Sequence, residues 1–315
     1  LILFFFTLAL SMSGNKNLKG FSFTVLIFAA VSLSMFYPQS FIQLGDFQLK
    51  KLIVPLLQII MFGMGTAMSF NDFYGVIKMP KGVLVGLICQ FSIMPFLGFS
   101  LATIFNFSSE IAAGVVLIGS SPSGLASNVM AYLAKANVAL SVTLTAVATI
   151  VSPLMTPLLM KHFAGAFVPI DFVAMMLSIM KMVILPVFLG LVFNHFFQGK
   201  AKWLDNAMPI LSMTAIALII MIITAAGRDS LLSIGILLIF AAIIHNLLGY
   251  LLGYWSCRVL KMKEHDCRTI ALEVGMQNGG LASGIALEMG KVSTVGLAPA
   301  VFGPWMNISG SSLAT

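Results

Sequence analysis

Two short phrases, Ser123-Gly124-Leu125-Ala126-Ser127 and Gly279-Gly280-Leu281-Ala282-Ser283, decide how this chain folds. The leucine of each phrase is followed ten residues later by a lysine, Lys135 or Lys291, so both landmarks repeat at an offset of 156 residues (125 to 281, and 135 to 291). Each phrase is a polar, glycine-rich interruption of an otherwise apolar segment. Because glycine and proline weaken a helix at such a place, the repeat predicts two segments that are broken in the same way.

The composition around these phrases is that of a membrane protein. The 315 residues are 59% hydrophobic and only 9% charged, with a mean hydropathy of +1.05, whereas a soluble domain carries about 25% charged residues. The apolar runs are long and continuous, which favours membrane helices over a barrel of alternating strands. The net charge of +7 fits positive loops beside membrane spans better than nucleic-acid binding. The three cysteines have neither metal-ligand spacing nor a disulfide pattern.

The apolar stretches predict an all-α protein with ten membrane spans, separated by turn residues. The predicted spans are 21–36, 49–68, 80–104, 110–133, 138–160, 172–197, 207–226, 231–256, 266–289 and 293–313. The segment 1–20 has an uncertain role: Leu1 to Leu10 is too short to span alone and is either the tail of a signal-like or extra hydrophobic segment or part of an interfacial helix. The chain starts at Leu1 and stops at Thr315 inside an apolar stretch, so we expect both ends to be trimmed or disordered.

The loop charges and the repeat together predict the topology. Eleven lysines and arginines fall on one side of the membrane and five on the other, which places the first side and both ends of the ten-span unit in the cytoplasm. Five spans, an odd number, separate the two phrases, so the phrases enter the membrane from opposite sides. Two inverted five-span repeats are a recurrent architecture of secondary transporters. Gln90 matches Asn246 and Glu110 matches Asp266 at the same offset of 156 (90 to 246, and 110 to 266).

Glu273 is the decisive side chain, because it lies at the centre of the ninth predicted span, just before the second break. A charge at that depth costs about 2.5–3.5 kcal/mol on insertion scales, and neither broken segment carries a basic residue in its core to pair with it. A bound cation is the natural counter-charge, and hard cations such as Na⁺ prefer oxygen ligands. The oxygen-bearing side chains expected nearby are Ser127, Asn128, Ser141, Thr145, Gln90 and Gln277. The broken spans 4 and 9 are expected to cross, so that their half-helix N-termini face an anion and their freed carbonyls face cations.

Several motifs together resemble the bile acid:sodium symporter family, especially its bacterial members. They are Ile60-Met61-Phe62-Gly63-Met64-Gly65, Ala126-Ser127-Asn128-Val129-Met130, Asn137-Val138-Ala139-Leu140-Ser141, Glu273-Val274-Gly275-Met276-Gln277-Asn278 and Asn307-Ile308-Ser309-Gly310. The resemblance covers residues 20 to 315. It implies a panel domain of spans 1, 2, 6 and 7 (21–68 and 172–226) and a core domain of spans 3–5 and 8–10 (80–160 and 231–313).

The resemblance also implies two sodium sites behind the crossing. By position, the first site comprises Ser127, Asn128, Ser141, Thr145 and Glu273, and the second comprises Gln90, Glu273, Gln277 and the backbone carbonyls of Val274 and Met276. The substrate positions are Ser123, Gly124, Leu125, Asn278 and Asn307. This chain departs from the family pattern where Ser123-Gly124-Leu125 replaces Gly-Gly-Thr, where Gly279 replaces a serine and where Met306 replaces a histidine.

The sequence therefore predicts a transporter rather than an enzyme, since no nucleotide-binding loop, metal cluster or nucleophile-base arrangement is visible. The expected activity is sodium-coupled symport of an organic anion, such as a bile acid, pantoate or a small keto or hydroxy acid, by alternating access in a bacterial plasma membrane. The expected partners are the anion, sodium ions and the lipid bilayer, with neither nucleic acid nor an obligate protein partner. Two alternatives stay open: a proton-coupled transporter that titrates Glu273, and a membrane receptor that binds without transport.

Overall fold

The computed structural model describes residues 2–14, 19–197 and 202–314. Sixteen α-helices make up most of this part of the chain. They are α1 (Ile2–Ser13), α2 (Lys19–Phe36), α3 (Gln39–Ile42), α4 (Ile53–Thr66), α5 (Gly75–Lys78), α6 (Pro80–Ile104), α7 (Ser109–Gly119), α8 (Leu125–Leu133), α9 (Val138–Leu159), α10 (Phe172–Ile179), α11 (Leu185–Phe197), α12 (Lys202–Ala226), α13 (Arg228–Val259), α14 (Glu264–Gly275), α15 (Gly279–Glu288) and α16 (Leu297–Ala314). Short 3₁₀ turns lie at Leu49–Leu52 and Phe70–Tyr74, and π-helical turns lie at Met160–Ala164 and Met180–Ile184.

The named strands in the described residues form one small hairpin. Strands β1 (Gln43–Leu44) and β2 (Phe47–Gln48) pair antiparallel, and Gly45 in the turn has a φ of +58°. Glycine adopts this left-handed conformation without a steric penalty. The hairpin lies between α3 and the 3₁₀ turn that leads into α4, and its two short strands are a minor addition to a helical fold.

Within the described residues, six helices are long and apolar enough to cross a membrane. They are Leu49–Thr66, Pro80–Ile104, Val138–Ala164, Phe172–Phe197, Ala207–Ala226 and Arg228–Val259. The protein is therefore an all-helical, multi-span membrane protein, as the composition predicts. The six fall short of the ten predicted spans in part because two of the predicted spans, 110–133 and 266–289, are each divided into two half-helices, neither long enough to span alone.

The same succession of elements occurs twice. A long helix, two half-helices and a second long helix follow one another in α6–α9 and again in α13–α16. The two copies interlock, because α14 packs against α6, α8 and α9, and α16 packs against α7 and α8. The broken segments are thus held by contacts with the other copy as well as with their own.

The helices of the predicted panel domain also pack together. Helix α4 lies against α11 and α12, and α12 lies against α2. Gly65 of α4 and Gly190 of α11 meet so closely that a Cβ on either would collide with the other helix's backbone. Glycine at this crossing lets two membrane helices touch through their main chains. The division of the chain into panel and core domains stays a prediction.

The predicted N-terminal segment 1–20 is described for residues 2–14 and 19–20, and the rest of it lies outside the described residues. Helix α1 packs along α2: the Ser22 hydroxyl donates to the Ala9 carbonyl at 2.8 Å, and the Phe5 and Phe28 rings lie 5.9 Å apart. Within this segment, Ile2–Ser13 is therefore helical and packs against α2.

Candidate functional site

The two breaks meet each other. Residues 120–124, with Pro122, separate α7 from α8, and residues 276–278 separate α14 from α15. Ser123 and Gln277 form an isolated antiparallel bridge. The Gly124 N–H donates to the Met276 carbonyl at 3.2 Å, and the Asn278 N–H donates to the Pro122 carbonyl at 2.8 Å. Each break therefore satisfies backbone groups that the other has freed, as unwound backbone at membrane depth requires.

Glu273 lies in the last turn of α14, directly beside this bridge, and is only 2% exposed. Its two carboxylate oxygens accept hydrogen bonds from four hydroxyl groups. The donors are Ser123 Oγ at 2.6 Å, Ser127 Oγ at 2.6 Å, Ser141 Oγ at 2.5 Å and Thr145 Oγ1 at 2.9 Å. Among the described residues, no lysine, arginine or histidine forms an ion pair with this carboxylate.

Asn128 completes the oxygen cluster around Glu273. Its side-chain carbonyl lies 2.8 Å from Ser141 Oγ and 3.0 Å from Thr145 Oγ1. A hydroxyl has a single proton to donate, yet each of these two hydroxyls lies within hydrogen-bond distance of both the amide and the carboxylate. The cluster therefore holds more acceptor lone pairs than protons to fill them. Such an excess of oxygen lone pairs suits a hard cation.

A second group of amides lies next to the carboxylate cluster. Gln90 Nε2 donates to the Ser121 carbonyl at 2.8 Å and to Gln277 Oε1 at 2.6 Å, and Gln277 Nε2 donates to the Val274 carbonyl at 2.6 Å. The Oε1 atom of Gln90 is buried without a hydrogen-bond donor in the described part of the chain. An acceptor in that position is costly unless something supplies positive charge to it.

Asn246 plays the part of Gln90 in the second copy. Its Nδ2 donates to the Gly275 carbonyl at 2.8 Å, and its Oδ1 accepts from Ser309 Oγ at 2.5 Å. Gln90 and Asn246 therefore both hold a carbonyl at the end of the first half-helix of their own copy. The sequence marks the two positions as a matched polar pair, but it does not show which carbonyls they bind.

The predicted substrate residues are divided by the structure. Leu125 opens α8 next to Gly124, and this N-terminus has no side-chain cap. Asn278 caps α15 by accepting from the Leu281 N–H at 3.0 Å, and Asn307 donates to Gly303 within its own helix at 3.1 Å. Ser123 instead binds Glu273 and so joins the carboxylate cluster.

The ends of the first half-helices are held across the two copies. Glu110, in the first turn of α7, binds Lys291 Nζ and accepts from Thr294 Oγ1 at 2.6 Å. Asp266, the matching residue in α14, accepts from Asn137 Nδ2 at 2.8 Å. Each partner comes from the segment that follows the other copy's second half-helix. The sequence analysis matches Glu110 with Asp266 and takes Lys291 only as a marker of the repeat. It does not predict these contacts between the two copies.

Fold and site together define a polytopic, all-helical membrane protein with two broken segments that meet around a buried carboxylate. Comparison with known proteins makes the class specific. Residues 54–234 match the Sodium Bile acid symporter family, more than half of the chain. The chain belongs to this family of sodium-dependent transporters, which confirms the resemblance.

Three relatives illustrate the match. The chain is 39% identical over 296 residues to the uncharacterized sodium-dependent transporter YocS of Bacillus subtilis, covering 94% of this chain and 89% of that protein. It is 34% identical over 232 residues to the probable sodium/metabolite cotransporter BASS1, chloroplastic, of Arabidopsis thaliana, covering 74% of this chain and 58% of that protein, which is less than two thirds. It is 34% identical over 249 residues to the ileal sodium/bile acid cotransporter of Oryctolagus cuniculus, covering 75% and 69% of the two chains.

Proposed function

We propose that this protein is a sodium-coupled symporter of an organic anion. The observation that carries the proposal is Glu273, a buried carboxylate in an oxygen-rich cluster without a basic partner in the described residues. A cation of about the size of Na⁺ supplies the missing charge, and the membership of a sodium-dependent family favours sodium over other cations.

Two sodium sites share Glu273 in this proposal. The first takes oxygen ligands from the carboxylate cluster: Ser127, Asn128, Ser141, Thr145 and Glu273. The second takes them from the amide group: Gln90, Glu273, Gln277 and the carbonyls of Val274 and Met276. The surplus lone pairs of the first group support one ion, and the donorless Oε1 of Gln90 supports the other.

The anion site in this proposal lies at the crossing itself. The uncapped N-terminus of α8 offers free N–H groups and a positive partial charge to a carboxylate. Gly124, Leu125, Asn278 and Asn307 surround this position in the proposed site, whereas Ser123 contributes through Glu273. The names of the relatives give a metabolite and a bile acid as the substrates of those proteins. The positive end of α8 favours a carboxylate among such substrates, and a bile acid, pantoate or a small keto or hydroxy acid carries one.

The transport cycle follows from these placements. Sodium bound between α8, α9 and α14 fastens the two breaks together and orients the N-terminus of α8 toward the anion. The core (80–160 and 231–313) then moves against the panel (21–68 and 172–226) in ten spans arranged as two inverted repeats, with both ends of the unit cytoplasmic and the protein in the plasma membrane. Because sodium and anion favour the same arrangement of the crossing, each raises the affinity for the other.

Uptake into proteoliposomes tests the proposal. With sodium outside, we expect a carboxylic-acid substrate to accumulate, whereas an equal concentration of potassium gives background uptake only. Glu273→Gln keeps the shape and removes the charge, so it is expected to lower sodium-driven uptake at least about 100-fold, which corresponds to the loss of a charged hydrogen-bonded ligand set. Asp229→Asn, which neutralises a carboxylate with a side chain that is 97% exposed, is the matched control.

A sodium-dependent rise in melting temperature gives a readout that does not depend on the substrate. Wild-type protein is expected to melt higher in sodium than in potassium, since a ligand that binds only the folded state stabilises it, and Glu273→Gln is expected to lose this difference. Equal uptake in sodium and potassium, or uptake driven by a pH gradient without sodium, contradicts the proposal and favours proton coupling. Binding without counterflow favours a receptor.

A further inference from the structure

The seam between α4 and α15 has a geometry that bears on how the proposed transporter changes state, and the inference rests on that proposed function. Leu57, near the middle of α4, is fully buried. Its Cδ1 lies 3.4 Å from where a Cβ on Gly280 would be, and a Cβ on Gly284 would overlap its Cδ2. Leu57 therefore fills a notch on α15 that exists because residue 284 is glycine, and Gly280 forms the notch's other side at contact distance.

Each side of this seam is fastened to its own neighbours through backbone. Gly65 of α4 and Gly190 of α11 lie against each other's main chain, so Leu57 belongs to a pair of helices in direct backbone contact. Helix α15 packs against α7 and α16, and a Cβ on Gly279 would lie 3.5 Å from the Pro299 carbonyl of α16. The notch therefore lies on a helix that also packs against α16.

The seam itself is made of side-chain ends. Leu57 enters the notch, Met182 Sδ lies 3.4 Å from the Cβ position of Gly284, and Ser178 Oγ donates to Glu288 Oε2 at 3.3 Å further along α15. The side-chain ends at these contacts can separate without breaking a hydrogen bond within a helix. These contacts of the seam can therefore open while both helices stay intact.

The two second half-helices differ in how they are covered. In α15, residues 281–286 are all buried, whereas α8 leaves Val129 55%, Tyr132 71% and Leu133 46% exposed. The half-helix that bears the notch is therefore the one that the panel helices close.

We propose that Leu57 is the latch of this seam: it holds the state in which α15 is covered by seating in the Gly280–Gly284 notch, and it leaves the notch in the alternate state of the transport cycle. Gly284 is then required for the closed seam because any side chain there occupies the space of the Leu57 methyl group. When Leu57 has left the notch, a side chain at position 284 no longer meets the Leu57 methyl group.

A cross-link between the two sides of the seam tests the latch. The pair Ser178→Cys and Glu288→Cys replaces the two residues whose oxygens lie 3.3 Å apart. A short bis-methanethiosulfonate reagent, which bridges the part of the Glu288 side chain that a cysteine lacks, is expected to join them while the seam is closed. The wild-type chain gives the background, since its three cysteines are buried. The linked peptides are quantified by mass spectrometry in detergent, without sodium or substrate.

Adding Gly284→Ala to the pair is expected to slow cross-linking at least about fivefold, the population change that overpacking by a methyl group produces. Combining it with Leu57→Ala makes room for the new methyl group and is expected to restore the rate to within about twofold. Gly303→Ala is the matched control: it also places alanine in a helix, but no atom lies within 4 Å of its Cβ position, so the rate is expected to stay unchanged.

An unchanged rate in Gly284→Ala overturns the latch, and so does a slow rate that Leu57→Ala does not restore. If Gly284→Ala does not yield folded protein, Leu57→Ala alone answers the question, because an empty notch is expected to slow the cross-link and an unaffected rate overturns the proposal. Sodium-driven uptake by wild-type protein is measured separately. Its failure contradicts the proposed transport and leaves the cross-linking result intact as a test of the seam.

Discussion

The surroundings of Glu273 and those of the matching position in the first copy have the same backbone arrangement and opposite chemistry. Glu273 ends the first half-helix of the second copy, and the matching position in the first copy, 156 residues earlier, is Leu117, which is fully buried among apolar side chains. The hydroxyl-bearing neighbours of Glu273 have counterparts at the same offset. Ser123 matches Gly279, Ser127 matches Ser283, Ser141 matches Leu297 and Thr145 matches Val301.

Ser283 keeps a hydroxyl group at its matched position, but it does not use that group as Ser127 does. Its hydroxyl donates to the Gly279 carbonyl of its own helix at 2.8 Å, whereas the Ser127 hydroxyl reaches both Gly124 and Glu273. A broken helix is therefore a feature of both copies, and the two breaks pair with each other. The cluster of oxygen atoms around a carboxylate occurs at Glu273 and not at the matching Leu117, and we assign the sodium ion to this cluster.

The largest expected effect comes from placing a carboxylate at Leu117, the position that matches Glu273. Leu117→Glu buries a carboxylate among apolar side chains and is expected to cost about 3–5 kcal/mol of stability, enough to abolish monodisperse protein on size-exclusion chromatography. Leu117→Met, which conserves volume, is the control and is expected to elute like wild type. A folded Leu117→Glu protein that binds sodium at a further site would contradict this comparison. A carboxylate in apolar surroundings would then be enough to form a sodium site.

A smaller effect is expected from one substitution made at two matched positions. Ser127→Ala removes a donor to Glu273 and is expected to raise the sodium concentration for half-maximal thermal stabilisation about tenfold, or about 1.4 kcal/mol. Ser283→Ala removes a hydroxyl that bonds only its own helix and is expected to change that concentration less than about twofold. Equal effects at the two positions would contradict the assignment of the ion to one crossover.

The smallest effect is expected from an exposed carboxylate in the first turn of α14. Glu264, exposed at the start of the helix, has its pKa lowered by hydrogen bonds from Tyr254 and Arg268 at 2.8 and 3.0 Å. Its contribution to stability is therefore present above the unfolded pKa of about 4.3 and is lost as the pH falls through the lower folded value.

The measurement compares melting temperatures of wild type and Glu264→Gln between pH 7 and pH 3. We expect a small gap at pH 7 that is unaffected by sodium and narrows below about pH 4, the range in which both forms become neutral. A gap that stays constant down to pH 3, or that depends on sodium, would show that the exposed carboxylate behaves like the buried one.

Features that depend on local residue types could be predicted from the sequence. Proline and glycine mark both breaks, and Glu273 stands out because a charge in an apolar run demands a partner. Ser141 and Thr145, four residues apart, share one helix face, and the structure brings both to the carboxylate.

Features that depend on how distant segments pack could not be predicted in the same way. The sequence interpretation assigns Ser123 to the substrate, but the bridge with Gln277 turns its hydroxyl toward Glu273. The contact of Glu110 with Lys291 joins residues 181 positions apart, and Leu57 looks like any leucine of an apolar helix until the two glycines of α15 lie beside it. In each case the partner is fixed by the packing of the two copies rather than by a local pattern.

The bridge between Ser123 and Gln277 also constrains how the protein is made. The ribosome produces about 5–20 residues per second, so the 154 residues from position 123 to position 277 take roughly 8–30 s. Throughout that time the Pro122 carbonyl and the Gly124 N–H have no partner from the second break. The nascent chain must therefore keep its first break in contact with water or with the insertion machinery, and only the arrival of the second break allows both to settle at membrane depth.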